Sequence, residues 1–192
     1  GPAKLRLTVT SGAAALSSAR GTGTGSVLIA AASLPPRAPA AAVTVVAWPR
    51  NERGALAGVK STSYRENVVA LAAANEQGSD EAIFANTVGN LCEGTGSNVF
   101  VVVDGRLITP PLSAGPLAGV TRALVLEVTD AVEEDLTIEA FRAADEAFLT
   151  ACTRDVQPID RIDGRPLDTV HGPTTAAAAA AYLDLIATTP DP

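Results

Sequence analysis

Two lysines stand against twelve arginines in this chain of 192 residues, and one of them, Lys60, ends the segment Leu56-Ala57-Gly58-Val59-Lys60. Arginine stays protonated in proteins, whereas a lysine amine can be tuned into a nucleophile that condenses with a carbonyl. Two further segments complement such an amine. Leu91-Cys92-Glu93-Gly94-Thr95-Gly96-Ser97-Asn98-Val99-Phe100 carries a carboxylate at Glu93, and Leu117-Ala118-Gly119-Val120-Thr121-Arg122 leads into a helix. A helix start presents N–H groups and a positive dipole end to an anion. An amine for an aldehyde, an acid for a ring nitrogen and a helix N-terminus for a phosphate are together what an aldehyde cofactor requires. Taken singly, Lys60 would read as a surface lysine and Glu93 as an ordinary hairpin carboxylate.

The elements that must position these residues follow from patterning. Leu5, Leu7 and Val9 alternate with Arg6, Thr8 and Thr10, which predicts a strand, and residues 26–32 predict another beyond the Gly-rich stretch 21–25. Proline at 35, 36 and 39 places a linker at 34–42. Two strands cannot bury themselves in water, so residues 1–33 are expected to be the remnant of a small N-terminal domain. Residues 43–192 would form the larger one. There, 42–48 predicts a buried strand and 56–60 a short extended approach to a helix. Ser63 and Glu66 would cap that helix reciprocally, Val68, Val69, Ala72 and Ala73 would form its apolar stripe, and Gly78 suits the position just past its end. Strands near 81–87, 91–93, 99–103 and 107–109, with Asp104-Gly105 as a two-residue turn, suggest an antiparallel meander. Helices at 121–131, 138–143 and 173–187 and strands at 147–151 and 156–162 complete an α/β chain, with Pro173 suited to a first helical turn.

Composition removes other readings. With 47% hydrophobic and 18% charged residues the chain can bury a core. A net charge of -7 provides no basic field for nucleic acid, which is not an expected partner. No apolar run reaches the length of a membrane helix, and the start lacks the basic-then-apolar order of a signal peptide. Two cysteines, Cys92 and Cys152, form neither a CxxC pair nor a disulfide framework, so a reducing, cytoplasmic compartment is the simpler expectation and no metal is. His171, the only histidine, cannot pair for a metal and reads as a loop or cap residue. Gly21 to Gly25 lacks the following helix of a nucleotide loop. Asp80-Glu81 and Glu133-Glu134-Asp135 read as solvated acidic faces.

From about Val43 to Gly164 the order and spacing of these segments resemble the class IV aminotransferases, the fold-type IV family of pyridoxal 5′-phosphate enzymes. The likeness is carried by Glu93 to Phe100, Asp104-Gly105, Thr109-Pro110-Pro111 and Gly119-Val120-Thr121-Arg122. It implies a fold of mostly antiparallel strands in a pseudo-barrel with flanking helices. It further implies that Lys60 holds the cofactor as an imine and then shuttles protons, and that Glu93 pairs with the pyridinium nitrogen. Leu117 would pack on the ring, Tyr64 would lie near the ring hydroxyl, and Gly119, Val120 and Thr121 would bind the phosphate. The segment from Thr150 to Thr153 would lend backbone amides to the phosphate and to a substrate carboxylate, with Cys152 where threonine is commoner. The substrate would be a small amino compound and the assembly a homodimer. Both family chemistries fit these residues. Residues 56–60, preceded by Arg50-Asn51, favour a 4-amino-4-deoxychorismate lyase, which releases pyruvate to leave 4-aminobenzoate for folate biosynthesis. Ser63-Tyr64 is closer to an aminotransferase of branched-chain or D-amino acids. A third expectation is a catalytically idle fragment, because the family's N-terminal domain supplies an arginine for the phosphate and part of the pocket wall.

Overall fold

The alternation at residues 5–10 becomes β1 (Ala3–Thr10), which pairs antiparallel with β2 (Ser26–Ser33) from Ala3 opposite Ser33 to Thr10 opposite Ser26. The structure, a computed structural model, describes residues 3–16 and 21–189. It divides into two units, Gly1–Arg37 and Ala38–Pro192. Within the first, Leu5, Leu7, Val9, Val27, Leu28 and Ile29 are all exposed, as a two-stranded ribbon must leave them.

Among its described residues the second unit contains nine strands: β3 (Ala41–Val45), β4 (Glu81–Ala85), β5 (Leu91–Gly94), β6 (Asn98–Val103), β7 (Arg106–Thr109), β8 (Val132–Glu133), β9 (Glu146–Ala151), β10 (Asp155–Ile162) and β11 (Arg165–Pro166). They form one sheet in the order β5-β4-β3-β10-β9-β6-β7-β8, with β11 on β10. Five of its pairings are antiparallel and three, β3 with β4, β3 with β10 and β7 with β8, are parallel. This mixed, mainly antiparallel sheet with flanking helices agrees with the expected class. The local meander gives way to a longer-range arrangement: β6 pairs with β9 rather than β5, because the apolar run from Val99 to Val102 is covered on both faces. Val99 and Val101 join Val43, Ile83, Leu149 and Ile159 on one side. Phe100 and Val102 meet Phe148, Val125 and Tyr182 on the other, with Phe100 stacked on Phe148 at 4.9 Å. The β6–β7 turn is as predicted: Asp104 and Gly105 both have positive φ, 50° and 73°.

Among the described residues four α-helices flank the sheet: α1 (Arg65–Glu76), α2 (Val120–Val128), α3 (Ile138–Arg142) and α4 (Pro173–Thr188). Four expectations need correction. Strand β3 takes in Ala41 and Ala42, which the proline pattern assigns to a linker, since both are buried beside β10. Residues 54–59 form consecutive turns, not an extended approach, closed by Ala57 N–H to Gly54 O and Val59 N–H to Leu56 O. Helix α1 has Tyr64 at its N-cap with no side-chain cap, so the Ser63–Glu66 box does not form. Its buried side consists of Ala70 and Ala74, packed with Ala82 and Phe84, while Val68 and Val69 are 62% and 54% exposed. Small alanines admit the helix closely against β4, and valines would hold it away. Its end is as read, with Gly78 in the left-handed region.

Candidate functional site

A cavity of about 790 Å³ opens between two unlike walls, the segment 50–67 and the strand end 93–97, closed by Gly115 and Leu117. Lys60, Tyr64, Glu93 and Leu117 all line it. Lys60 is exposed on the first wall, and its ammonium is near enough to act electrostatically on Glu93 opposite.

Glu93 lies on β5 directly across from Phe84 of β4. That pairing builds its surroundings. Arg50, held by its N–H on Ala85 O at 2.7 Å, lays its guanidinium over the Phe84 ring at 4.1 Å. Its Nη atoms donate to Asn67 Oδ1 at 3.0 Å, and its Nε stands 3.4 Å from Glu93 Oε1. The Nε approach is an ion-pair distance without hydrogen-bond alignment, and this buried N–H has no other partner. Glu93 Oε2 accepts the Leu117 N–H at 2.9 Å. Burial pushes the Glu93 carboxyl above its ordinary range, against the Leu117 hydrogen bond and the charges of Arg50 and Lys60. Behind it, burial also raises the Cys92 thiol, so Cys92 is an inert core residue.

Beside Glu93, the turn Thr95-Gly96-Ser97 forms part of the lining. The Thr95 carbonyl accepts the Tyr64 hydroxyl at 3.1 Å and the Asn67 amide. Beneath the turn lies Glu81, only 2% exposed, so half of the acidic pair read as a solvated face is in fact core. The other clusters are also engaged: Glu133 with Arg122, Glu134 with Arg106 at 2.6 Å, and Asp80 Oδ2 with the Ala42 N–H at 2.9 Å.

Gly119, Val120 and Thr121 do not line the cavity but begin α2, two residues beyond Leu117. A Cβ at Gly119 would collide with Asn98 Oδ1, and the Asn98 amide donates to Leu117 O at 2.8 Å, so this entry to α2 is clamped. Val120 is 75% exposed, while Thr121 is buried, close enough to Tyr182 of α4 to act on its phenol. Cys152 and Thr153 also stand outside the lining, in the three-residue loop joining β9 to β10, and Cys152 is exposed. His171 is a loop residue with φ 56°, just ahead of α4. Sequence reasoning gave no role to Arg50, Asn67, Glu81 and Arg154. The available signal was Arg50 between a buried strand and the lysine segment.

The family model for class IV amino-transferases matches residues 1–162. The chain belongs to that family. A branched-chain-amino-acid aminotransferase of Pseudomonas aeruginosa is 35% identical over 130 residues, 65% of this chain and 42% of that protein. A Methanocaldococcus jannaschii protein, given the same name provisionally, is 39% identical over 115 residues, 57% of this chain and 40% of that one. Among solved structures, the branched-chain aminotransferase of Thermoproteus uzoniensis with norvaline superposes at a TM-score of 0.89, with 31% identity over 98% of this chain and 66% of that one. The pyridoxal-phosphate form of the Thermobaculum terrenum enzyme gives 0.83, with 27% identity over 96% of this chain and 64% of its own. A protein of Legionella pneumophila, provisionally called 4-amino-4-deoxychorismate lyase, gives 0.85 at 24% identity over 96% of this chain and 69% of its own, a likeness of fold alone. The chain thus spans less than half the length of these two curated relatives. The match from residue 1 also brings β1 and β2 into the family, beyond the resemblance that begins near Val43.

Proposed function

We propose that this chain carries the lysine and acid of a pyridoxal 5′-phosphate site, and that the whole protein transfers the amino group of a branched-chain amino acid to a 2-oxo acid. The observation that supports it best is one cavity lined by both Lys60 and Glu93, with Glu93 anchored on the side away from the lysine. Glu93 also fits the cofactor in detail. Its Oε2 is taken by Leu117 and its Oε1 only approached by Arg50, which leaves an Oε1 lone pair for a ring N–H. When bound, pyridoxal 5′-phosphate would supply an aldehyde for the amino group and a protonated ring that draws electrons from it.

The chain's own residues would do the rest. Lys60 would hold the aldehyde carbon and then carry the proton at its Nζ, a task suited to its position on an open wall. Arg50 and the Leu117 N–H would keep Glu93 ionised against the pull of burial, so that the ring nitrogen keeps its proton. Tyr64, tethered to the Thr95 carbonyl, would stand by the ring hydroxyl. At the phosphate, the N–H groups of Val120 and Thr121 are the donors, since a helix start leaves them without intrahelical partners.

Leu56 to Lys60 favoured the lyase on sequence, but the relatives' names weigh towards the aminotransferase, and the lyase-named structure contributes only fold. Incubating the full-length protein with cofactor, valine or isoleucine and 2-oxoglutarate should yield glutamate. Pyruvate release from 4-amino-4-deoxychorismate with no glutamate formed would restore the lyase, and transfer from D-alanine alone would displace the branched-chain substrate. A homodimer in the cytoplasm remains part of the proposal, and light scattering would test the assembly.

A further inference from the structure

Glu81, the first residue of β4, has both carboxylate oxygens occupied. Oε1 accepts the Thr95 N–H at 2.9 Å and the Thr95 hydroxyl; Oε2 accepts the Ser97 hydroxyl at 3.3 Å and Arg154 Nη2 at 2.9 Å. Arg154 ends the loop between β9 and β10, and its Nη1 donates to Gln157 Oε1 at 2.7 Å. The backbone is shaped to admit this carboxylate: a Cβ on Gly94 would lie 3.2 Å from Glu81 Cγ and 2.5 Å from Ser97 Oγ. A buried ion pair adds little net stability over apolar packing of the same size, so burial of Glu81 calls for an explanation in position rather than strength.

We infer that the Glu81–Arg154 pair is a positioning device that fixes the Thr95–Ser97 wall of the cavity and ties the loop at Cys152–Thr153 to the same anchor. The Thr95 carbonyl is where Tyr64 and Asn67 attach, and Asn67 in turn holds Arg50 beside Glu93. One carboxylate therefore sets the turn, the tyrosine and, through Asn67, the arginine of the acid. Glu81 is also a like charge that works against ionisation of Glu93. Neither Glu81 nor Arg154 lines the cavity, so both are positioning residues.

The inference rests on the proposed function for its kinetic part only. Arg154→Met, Arg154→Lys and Glu81→Gln would be made in the full-length protein, with three readouts: amide hydrogen exchange at Thr95, Gly96 and Ser97, kcat and KM for valine, and Tm. Arg154→Met should speed exchange at those amides by about tenfold, a local opening without global unfolding. It should raise KM by about tenfold while kcat changes less than about threefold. Arg154→Lys should recover most of both effects, and Glu81→Gln, which keeps the size and one acceptor, should reproduce the exchange change. Unaltered exchange at the three amides overturns the inference, as does a fall in Tm with kcat and KM moving together. If the parent protein transfers no amino group from valine, the functional proposal fails and the exchange measurement still decides the role of the pair.

Discussion

The two walls of the cavity are held in different ways. Beyond Glu52, whose carboxylate accepts the Thr87 N–H at 3.0 Å, the lysine wall from residue 54 to 63 is closed by bonds to near neighbours: Gly54 N–H to Asn51 O, Ala57 N–H to Gly54 O, Val59 N–H to Leu56 O, Ser63 N–H to Ser61 Oγ. The acid wall is closed by partners far along the chain: Leu117 on Glu93, Glu81 under Thr95, Arg154 on Glu81. Local bonds break without disturbing the core, whereas long-range bonds break only with it. On the proposed function, the amine that would move protons thus sits on the adjustable wall, and the acid that would hold one charge state sits on the fixed wall.

The comparison is tested hardest by removing the amine. Lys60→Ala should lower amino transfer by more than about a thousandfold and abolish labelling of the chain by cofactor and borohydride, yet leave the urea midpoint nearly unchanged. A large loss of stability would show that the lysine wall is structural after all. Next comes the fixed wall. Phe84 is buried beneath Arg50, and Phe84→Ala should cost about 3–5 kcal/mol in urea unfolding while freeing the guanidinium. A cost under about 1 kcal/mol would mean that the two walls are equally soft.

The third prediction concerns pH. Glu93 has its folded-state pKa raised above the ordinary 4.5, so its neutral form favours the folded chain. That contribution is complete below pH 4.5 and is lost as pH rises through the raised value. Glu93→Gln should therefore flatten the fall of stability above pH 4.5, read as urea midpoints across pH, and an unchanged slope would refute it. The smallest effect belongs to the exposed lysine wall, where Val59→Ser should change stability by no more than about 0.5 kcal/mol.

The helix α1 shows where sequence patterning reaches its limit. Its end was legible because Gly78 occupies a left-handed position that glycine alone adopts without strain. Its buried side was not, because Val68 and Val69 look like a stripe by spacing, yet only alanine fits against β4. The Asp104-Gly105 turn was legible for the same reason as Gly78. In the acidic pair Asp80-Glu81, Glu81 was misread, since a charge run resembles a solvated face until its partners are known.

By itself the sequence pointed to Lys60 and Glu93 as the groups suited to the proposed chemistry, and it determined the Asp104-Gly105 turn and the end of α1 at Gly78, because backbone conformation and side-chain type act within a few residues. Tertiary structure alone decided that Glu81 is buried, that Arg50 lies beside Glu93 and that Cys152 and Thr153 stand outside the cavity lining. Glu81 is 14 residues from Thr95 and 73 from Arg154, and burying a charge depends on partners that only the folded sheet brings together.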